Sequence, residues 1–195
     1  MKSIFLLASI LLPLYSPWPY IRSILYGETK PHRTTRFIYL IIGILTTLSL
    51  LASHNRVAVW ISGVSTLQAI ILFYLGLKHG VGGWSKTDIA CLVVASIGIV
   101  AWQTTKNPIL ALYLGIMADF IGSVPTIIKS YRLPRTENWS FYGIDALAGM
   151  FNLLALTNWN LQDFAYPAYL VFINGLIALL ILRGKHIKSN LLVVS

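Results

Sequence analysis

Seven long apolar stretches constrain the fold of this chain more than any other feature of its sequence. They cover residues 3–22, 37–53, 57–77, 88–104, 108–128, 140–157 and 164–182. A helix needs roughly 20 mostly apolar residues to cross the hydrocarbon core of a bilayer, with about 17 to 25 as the working range. The pattern therefore predicts an all-α membrane protein with seven transmembrane helices, numbered here as segments one to seven.

The composition supports this class and explains the basic charge. Of the 195 residues, 56% are hydrophobic and 11% are charged, whereas a soluble domain is about half apolar and about a quarter charged. A net charge of +9 would suggest nucleic acid in a soluble chain, but Lys and Arg also collect in the cytoplasmic loops of membrane proteins. We therefore expect membrane lipids and no nucleic acid among the partners, and homo-oligomerisation stays open.

The positions of the basic residues predict the orientation of the chain. With the N-terminus outside, 12 of the 15 Lys and Arg residues fall on the inner side: Arg22, Lys30, Arg33, Arg36, Lys78, Lys86, Lys129, Arg132, Arg135, Arg183, Lys185 and Lys188. Lys2, Arg56 and Lys106 fall on the outer side. The positive-inside rule then predicts an outer N-terminus and a cytoplasmic C-terminus. The expected location is the inner membrane of a bacterial cell.

The chain also repeats itself at an offset of 106 residues. Residues 4–22 align with 110–128, and the aligned positions include Pro19 with Pro125, Gly43 with Gly149, Thr46 with Asn152 and Gln68 with Asn174. We interpret 1–78 and 107–184 as two three-helix repeats, 79–106 as a linker helix and 185–195 as a short tail. A single linker helix gives both repeats the same orientation, which predicts a pseudo-twofold axis along the membrane normal.

This 3+1+3 arrangement, with a proline late in segments one and five before a basic inner loop, resembles the PQ-loop and SWEET-like transporters. It is similar in particular to an uncharacterised bacterial branch, through the stretches TKPHRTTRFIY and KNPILALYLGIMADFIGSVPTIIKSYRLPRTE. The resemblance implies a small-solute transporter. The dipeptides are Pro19-Tyr20 and Pro125-Thr126 rather than Pro-Gln, and segments two and six lack the prolines of sugar carriers, so the solute class stays open.

Four polar residues within the apolar segments are the candidate substrate-binding residues. An aspartate at the bilayer centre costs about 2.5–3.5 kcal/mol on insertion scales, and Asp119 lies near the middle of segment five. Its expected roles are proton coupling or binding of a cationic or hydroxylated solute, and a hydrogen bond between helices is the structural alternative. Gln68, Asn174 and Asn152 offer buried amides that can bind a solute or join helices.

Asp145 and the two aligned prolines complete the candidate set. Asp145 lies near the inner end of segment six, where a proton site, a rim position and a pair with an inner arginine are equally open. Pro19 and Pro125 remove helical hydrogen bonds and are candidate hinges, or they simply shape the ends of their helices.

Several functional classes lack sequence support. His32, His54, His79 and His186 lie in predicted loops or the tail without metal-ligand spacing, and no catalytic triad or nucleotide-binding loop is present. We therefore expect no enzyme activity, no metal and no cofactor. The function expected is alternating-access transport of a small polar solute. The alternative is a seven-helix receptor that binds a small ligand without translocation.

Overall fold

A computed structural model describes residues 2–27, 31, 33–80, 86–132, 134 and 138–192, and the regular structure over these ranges is helical. The eight helices are α1 (Lys2–Tyr15), α2 (Trp18–Leu25), α3 (Arg33–Ala52), α4 (Ala58–His79), α5 (Lys86–Thr105), α6 (Pro108–Arg132), α7 (Trp139–Ala155) and α8 (Leu161–Leu192). The side chains of 185–192 and of several other helical residues, including Cys91 and Pro125, lie outside this description.

The predicted segments agree with the helices except at two places. Segment one is divided into α1 and α2 by a turn at Ser16 and Pro17. Segment seven corresponds to α8, whose helical backbone continues past the predicted end at 182 to Leu192. Residues 185–192 therefore continue this helix instead of forming a separate tail, and 193–195 lie outside the described residues.

Within the part of the chain that the structure describes, four helical stretches are long and apolar enough to cross a membrane: Lys2–Leu25, Ala58–His79, Pro108–Arg132 and Leu161–Gly184. The apolar part of α3, Arg36–Ala52, is shorter. α7 has 17 residues and, at about 1.5 Å per residue, is somewhat shorter than a hydrocarbon core of about 30 Å. The fold is thus an all-α membrane protein, in which four helices meet the length and composition expected of a span.

The helices pack as two hairpins, and α1 and α6 each contact both of them. α3 packs along α4, and α7 packs along α8. α1 lies mainly against α7 and also touches α4, whereas α6 lies against α3 and α8. α5 packs on α6 and α3. Apolar side chains from several helices meet in one buried cluster: Leu50, Ala58, Ile61, Leu112, Ala148 and Tyr166.

Two faces of the molecule are used below as reference. The N-terminal face carries Lys2, the 53–57 turn, residues 106–107 and the 156–160 connection. The basic face lies at the other end of the helices and carries the end of α2, the start of α3, the end of α4 and the start of α7. Arg22, Arg36 and Lys78 lie on this basic face.

Candidate functional site

The helix break between α1 and α2 follows directly from Pro17. A proline has no N–H, so the carbonyl of Pro13, four residues earlier, loses its helical donor. Helical hydrogen bonds continue on either side of the break, from the Ser16 N–H to the Leu12 carbonyl at 3.0 Å and from the Ile21 N–H to the Pro17 carbonyl at 2.8 Å. The break therefore leaves one particular carbonyl in need of a donor from elsewhere.

Gln68 of α4 supplies that donor. Its side-chain Nε2 donates to the Pro13 carbonyl and lies 3.0 Å from Ser16 Oγ. Gln68 is 7% exposed and Ser16 is fully buried. Inside a membrane a freed backbone carbonyl must find a partner within the protein. Gln68 therefore bonds to the backbone at the break. From the sequence, its amide could either bind a solute or join helices, and here it joins α4 to α1.

Asp145 of α7 joins the same group of residues. The Ser16 hydroxyl donates to Asp145 Oδ1 at 2.5 Å. Gln68 Nε2 lies 3.4 Å from the same oxygen. The four residues Pro13, Ser16, Gln68 and Asp145 form what we call the break cluster, which ties α1, α4 and α7 together. Of the open roles for Asp145, the geometry favours a buried position between helices, because the carboxyl bonds to Ser16 and Gln68.

Asp119 lies in a separate group of residues on α6. The hydroxyl of Tyr169, on α8, donates to Asp119 Oδ2. Ser123, one turn along α6, lies beside the Tyr169 hydroxyl. Tyr39 of α3 packs against the buried cluster that includes the neighbouring residue Ala118. The Asp119–Tyr169 pair thus sits where α3, α6 and α8 meet, and α6 continues past it without a break.

Tyr166 of α8 lies within electrostatic range of both carboxyl groups. Its side chain is 7% exposed, and its hydroxyl interacts electrostatically with Asp119 and with Asp145. Ser62 and Ser65 lie on the same side of α4 as this hydroxyl. Asp119 and Asp145 therefore share one buried tyrosine as a neighbour. Hydroxyl groups can accept and donate hydrogen bonds to a polar solute, and the carboxyls can carry protons.

Asn152 lies outside this region. Its Nδ2 lies 3.1 Å from Ser9 Oγ of α1 and 3.2 Å from the carbonyl of Val57. The residue is fully buried, and its Oδ1 has no hydrogen-bond partner among the described residues. Because Val57 precedes α4 at the N-terminal face, Asn152 joins α1, α4 and α7 closer to that face than the break cluster does.

Asn174 does not contact the carboxyl groups through its amide. Its Nδ2 donates to the carbonyl of Leu170, one turn earlier in the same helix, at 3.0 Å. The side chain is only partly buried. Gln68 and Asn174, which the repeat aligns, therefore have different hydrogen-bonding partners in this conformation.

The two candidate hinge prolines also differ in their surroundings. Pro19 lies in the first turn of α2, where the missing N–H removes no helical bond. The break itself falls at Ser16 and Pro17, two residues earlier. Pro125 lies within the continuous helix α6, and its side chain is outside the description. If segment one bends, the geometry points to Pro17 as the residue that permits it.

Three residues of this region were missing from the sequence-based set: Ser16, Tyr166 and Tyr169. Ser16 directly precedes Pro17, so its position beside a potential break was visible in the sequence. Tyr166 and Tyr169 are separated by three residues, which places them on one face of a helix. Their carboxyl partners lie on α6 and α7, and no local pattern in the sequence indicates such contacts.

Over the described residues, no group of three or more His, Cys, Asp or Glu side chains could hold a metal ion. No protein-family model matches this sequence, no curated protein is significantly similar to it, and no solved structure is significantly similar to its fold.

Proposed function

We propose that the protein is a membrane transporter that moves a small polar solute by alternating access between two three-helix repeats. The observation that carries the proposal is that two carboxyl groups within the apolar helices, Asp119 and Asp145, are each hydrogen-bonded to side chains of other helices, with Tyr166 within electrostatic range of both. These residues come from α6, α7 and α8, and the break cluster adds α1 and α4. Ionisable side chains inside a membrane protein are costly, and they commonly mark solute or proton pathways.

The pattern of helix packing supports the repeat. We assign α1, α3 and α4 to the first repeat and α6, α7 and α8 to the second. Exchanging the repeats converts the α3–α4 contact into α7–α8, the α1–α4 contact into α6–α8 and the α1–α7 contact into α6–α3. All of these pairs are in contact. A pseudo-twofold axis between the repeats accounts for this correspondence.

One pair of contacts supports the same axis at the level of residues. Asn152 of α7 lies 3.1 Å from Ser9 of α1 through Nδ2 and Oγ. Under the 106-residue offset, Ser9 corresponds to Gly115 and Asn152 corresponds to Thr46. A Cβ added to Gly115 would lie 2.8 Å from Thr46 Oγ1. The two contacts are therefore counterparts under the offset that the sequence suggested.

Alternating access then assigns distinct roles to the elements of the site. Movement of α6 and α8 relative to the break cluster, at the Asp119–Tyr169 pair, would open or close the pathway. The region around Tyr166 would receive the solute, with Asp119 and Asp145 as carriers of a coupling proton. The basic face is cytoplasmic and the N-terminus is outside, as the distribution of Lys and Arg predicts. The resemblance to PQ-loop and SWEET-like transporters is consistent with this mechanism.

The first experiment identifies a solute. The melting temperature of the purified protein is measured with amino acids, sugars, vitamins, nucleosides and polyamines. A ligand present at 100 times its dissociation constant stabilises the folded state by about 2.7 kcal/mol. We expect at least one class to stabilise the wild type, and uptake of that solute into proteoliposomes to depend on a pH gradient.

The variants Asp119→Asn and Asp145→Asn should each abolish the pH dependence of uptake. Asp163→Asn is the matched control, since it makes the same chemical change at the start of α8, on the N-terminal face. Asn174→Ala tests the predicted binding role of that residue. Stabilisation by a ligand without any uptake would overturn transport and favour a receptor. No stabilisation by any class, with all variants as stable as the wild type, would contradict a central site.

A further inference from the structure

The side chain of Arg36 lies among aromatic rings at the basic face. Its Nη2 donates to the Tyr20 hydroxyl at 2.7 Å, and its Cζ lies 5.0 Å from the centroid of the Tyr20 ring. The Tyr20 ring stacks on Phe141 of α7 with a centroid separation of 5.8 Å. Tyr142 of α7 lies close enough to the guanidinium to interact with it electrostatically. The charge is thus enclosed by residues of α2, α3 and α7.

Arg36 differs from the other basic residues of this face. Arg22, Lys78 and Arg183 also lie over tyrosine rings, at 5.9, 4.7 and 4.7 Å from the centroids of Tyr26, Tyr74 and Tyr131 respectively. Arg22 and Lys78 are exposed, whereas Arg36 is partly buried. The aliphatic stem of Arg36 passes over Gly76 of α4. A Cβ added to Gly76 would lie 3.7 Å from Arg36 Cγ.

Over the described residues, the Tyr20 oxygen accepts one hydrogen bond from the guanidinium, which carries five N–H groups. Among these residues, the side chains that interact most strongly with the Arg36 head are the neutral ones of Tyr20, Tyr39 and Tyr142. Burying a cation without an anionic partner is costly. The remaining donors suit a planar oxyanion, which arginine binds with two parallel hydrogen bonds.

The position of Arg36 also relates it to the proposed pathway. Residue 36 and residue 142 are counterparts under the 106-residue offset, and both lie beside the Tyr20–Phe141 pair, since Arg36 bonds to Tyr20 and the Tyr142 ring contacts Phe141. Two positions that a twofold axis exchanges can be neighbours only if both lie close to that axis. Arg36 and Tyr142 would therefore flank the pathway between the repeats. Asp145 lies three residues beyond Tyr142, about one turn deeper on the same face of α7.

We propose that Arg36 forms an anion-binding subsite at the basic-face entrance of this pathway, and that the ligand carries a carboxylate or phosphate group. The inference rests on the proposed function, because it names the solute class of the same pathway. The anionic group would engage the guanidinium fork, with the Tyr20 and Tyr142 rings beside it. The rest of the ligand would point toward Ser16 and Asp145.

The test uses the full-length protein purified in a neutral detergent. Its melting temperature is titrated with inorganic phosphate and with lactate, and with glycerol and lactamide as neutral counterparts, at equal ionic strength. We expect at least one anion to stabilise the wild type and the neutral compounds to have no effect. Arg36→Gln should weaken anion binding roughly 10- to 100-fold, as loss of a charged hydrogen-bond partner does. Arg36→Lys, which keeps the charge and loses the fork, should fall between.

Arg22→Gln is the matched control, since it removes the same charge from the same face at an exposed position. It should change the dissociation constant about fivefold or less. Equal stabilisation of the wild type and Arg36→Gln by the anions would overturn the proposal, as would equal stabilisation of the wild type by lactate and lactamide. Should Arg36→Gln fail to fold, Tyr20→Phe decides the matter. It frees one donor and keeps the ring, so the anion must bind at least as tightly, and weaker binding would refute the subsite.

A second arm distinguishes a free anion from a lipid headgroup. The same variants are placed in nanodiscs of phosphatidylcholine with or without phosphatidylglycerol. A headgroup site predicts that phosphatidylglycerol stabilises the wild type and not Arg36→Gln, with little added effect of phosphate or lactate. Anion binding that depends on Arg36 without any solute uptake would contradict transport and leave this subsite intact. Uptake of a neutral solute that the Arg36→Gln variant leaves unchanged would support transport and contradict this subsite.

Discussion

The two carboxyl groups, each half-buried, lie in regions that the 106-residue offset relates, yet their neighbours differ. Around Asp145, the chain places a helix break and the side chains that satisfy it: Pro13, Ser16 and Gln68. The positions related to Pro13, Ser16, Gln68 and Asp145 by the 106-residue offset hold Asp119, Gly122, Asn174 and Tyr39. Each region therefore contains one carboxyl. In one region it lies on α7, which packs against α1, and in the other it lies on α6, which packs against α3.

The difference shows how the state of the backbone determines the role of a polar side chain. Where Pro17 interrupts the helix, Gln68 and Ser16 serve a backbone carbonyl and the carboxyl together. Where α6 is continuous, its backbone groups form hydrogen bonds with one another. The Asn174 amide then donates to the Leu170 carbonyl of its own helix. Asp119 is then held mainly by one tyrosine hydroxyl. We infer that the break cluster is the more rigid region and that the Asp119–Tyr169 pair is the more easily rearranged.

The largest effect on stability is expected from Gln68→Leu. This variant removes the Gln68 donor of the buried Pro13 carbonyl and leaves it the Ser16 hydroxyl at 3.3 Å, which costs about 1–3 kcal/mol of the free energy of unfolding. Asn174→Leu is the matched change, and it should cost less than about 1 kcal/mol, because the Leu170 carbonyl retains its backbone donor. Unfolding in mixed micelles titrated with dodecyl sulfate measures both. Equal losses would contradict the distinction between the two regions.

The glycines that the repeat aligns provide the next comparison. A Cβ added to Gly149 would lie 2.9 Å from Val171 Cγ2, and one added to Gly43 would lie 2.9 Å from Thr66 Oγ1. Gly149→Ala and Gly43→Ala should each destabilise the protein by about 1–3 kcal/mol. Gly175, on α8, has nothing within 4 Å of its added Cβ.

Gly175→Ala is therefore the control for the glycine comparison. It should be neutral or stabilising by up to about 1 kcal/mol, through helix propensity alone. The same unfolding titration measures all three variants. A neutral result for only one member of the Gly43 and Gly149 pair would show that the two halves pack differently at these positions.

The cause of the break can be tested with a double-mutant cycle. Pro17→Ala restores an N–H four residues after Pro13, so this carbonyl regains a helical donor. Gln68→Leu should then cost about 1 kcal/mol less in the Pro17→Ala background than in the wild type, since the two residues serve one acceptor. Additive losses would mean that Gln68 acts mainly through Asp145. The cycle thus separates the backbone role of Gln68 from its contact with the carboxyl.

The helices could be predicted from the sequence because apolar length is a local property. The bounds of α4, α5 and α6 lie within four residues of segments three, four and five. Segment one contains three prolines, and the structure divides it at Pro17. The repeat aligns Pro19 with Pro125 and gives no indication of the role of Pro17. The effect of Pro17 depends on the Pro13 carbonyl that it leaves without a helical donor.

The contacts of the polar residues were less accessible to sequence reasoning. Gln68, Asp119 and Asp145 stood out because polar groups are costly in apolar segments. Their partners Ser16, Tyr166 and Tyr169 are common residue types with no such cost, and tertiary packing alone brings them to the carboxyls. Asn152 was grouped with the central residues on its helix face, yet the packing of α1 directs its amide to Ser9.

Smaller losses of stability are expected when the hydroxyl group that donates to each carboxyl is removed. These variants give the most direct comparison of the two carboxyl groups. Ser16→Ala removes the donor to Asp145, and Tyr169→Phe removes the donor to Asp119. Ser16 is fully buried and also accepts from Gln68, so its loss should cost about 1–2 kcal/mol. Tyr169 is only partly buried, and Tyr169→Phe should cost about 0.5–1 kcal/mol.

The same two variants should differ in the opposite direction when solute uptake is measured. If the Asp119–Tyr169 pair rearranges during transport and the break cluster does not, Tyr169→Phe changes the pH dependence of uptake, whereas Ser16→Ala lowers stability and leaves that dependence in place. A Ser16→Ala protein with an altered pH profile and a Tyr169→Phe protein with a normal one would assign the moving carboxyl to Asp145. The helix break at Pro17 would then be the site of motion rather than the rigid reference around which α6 and α8 move.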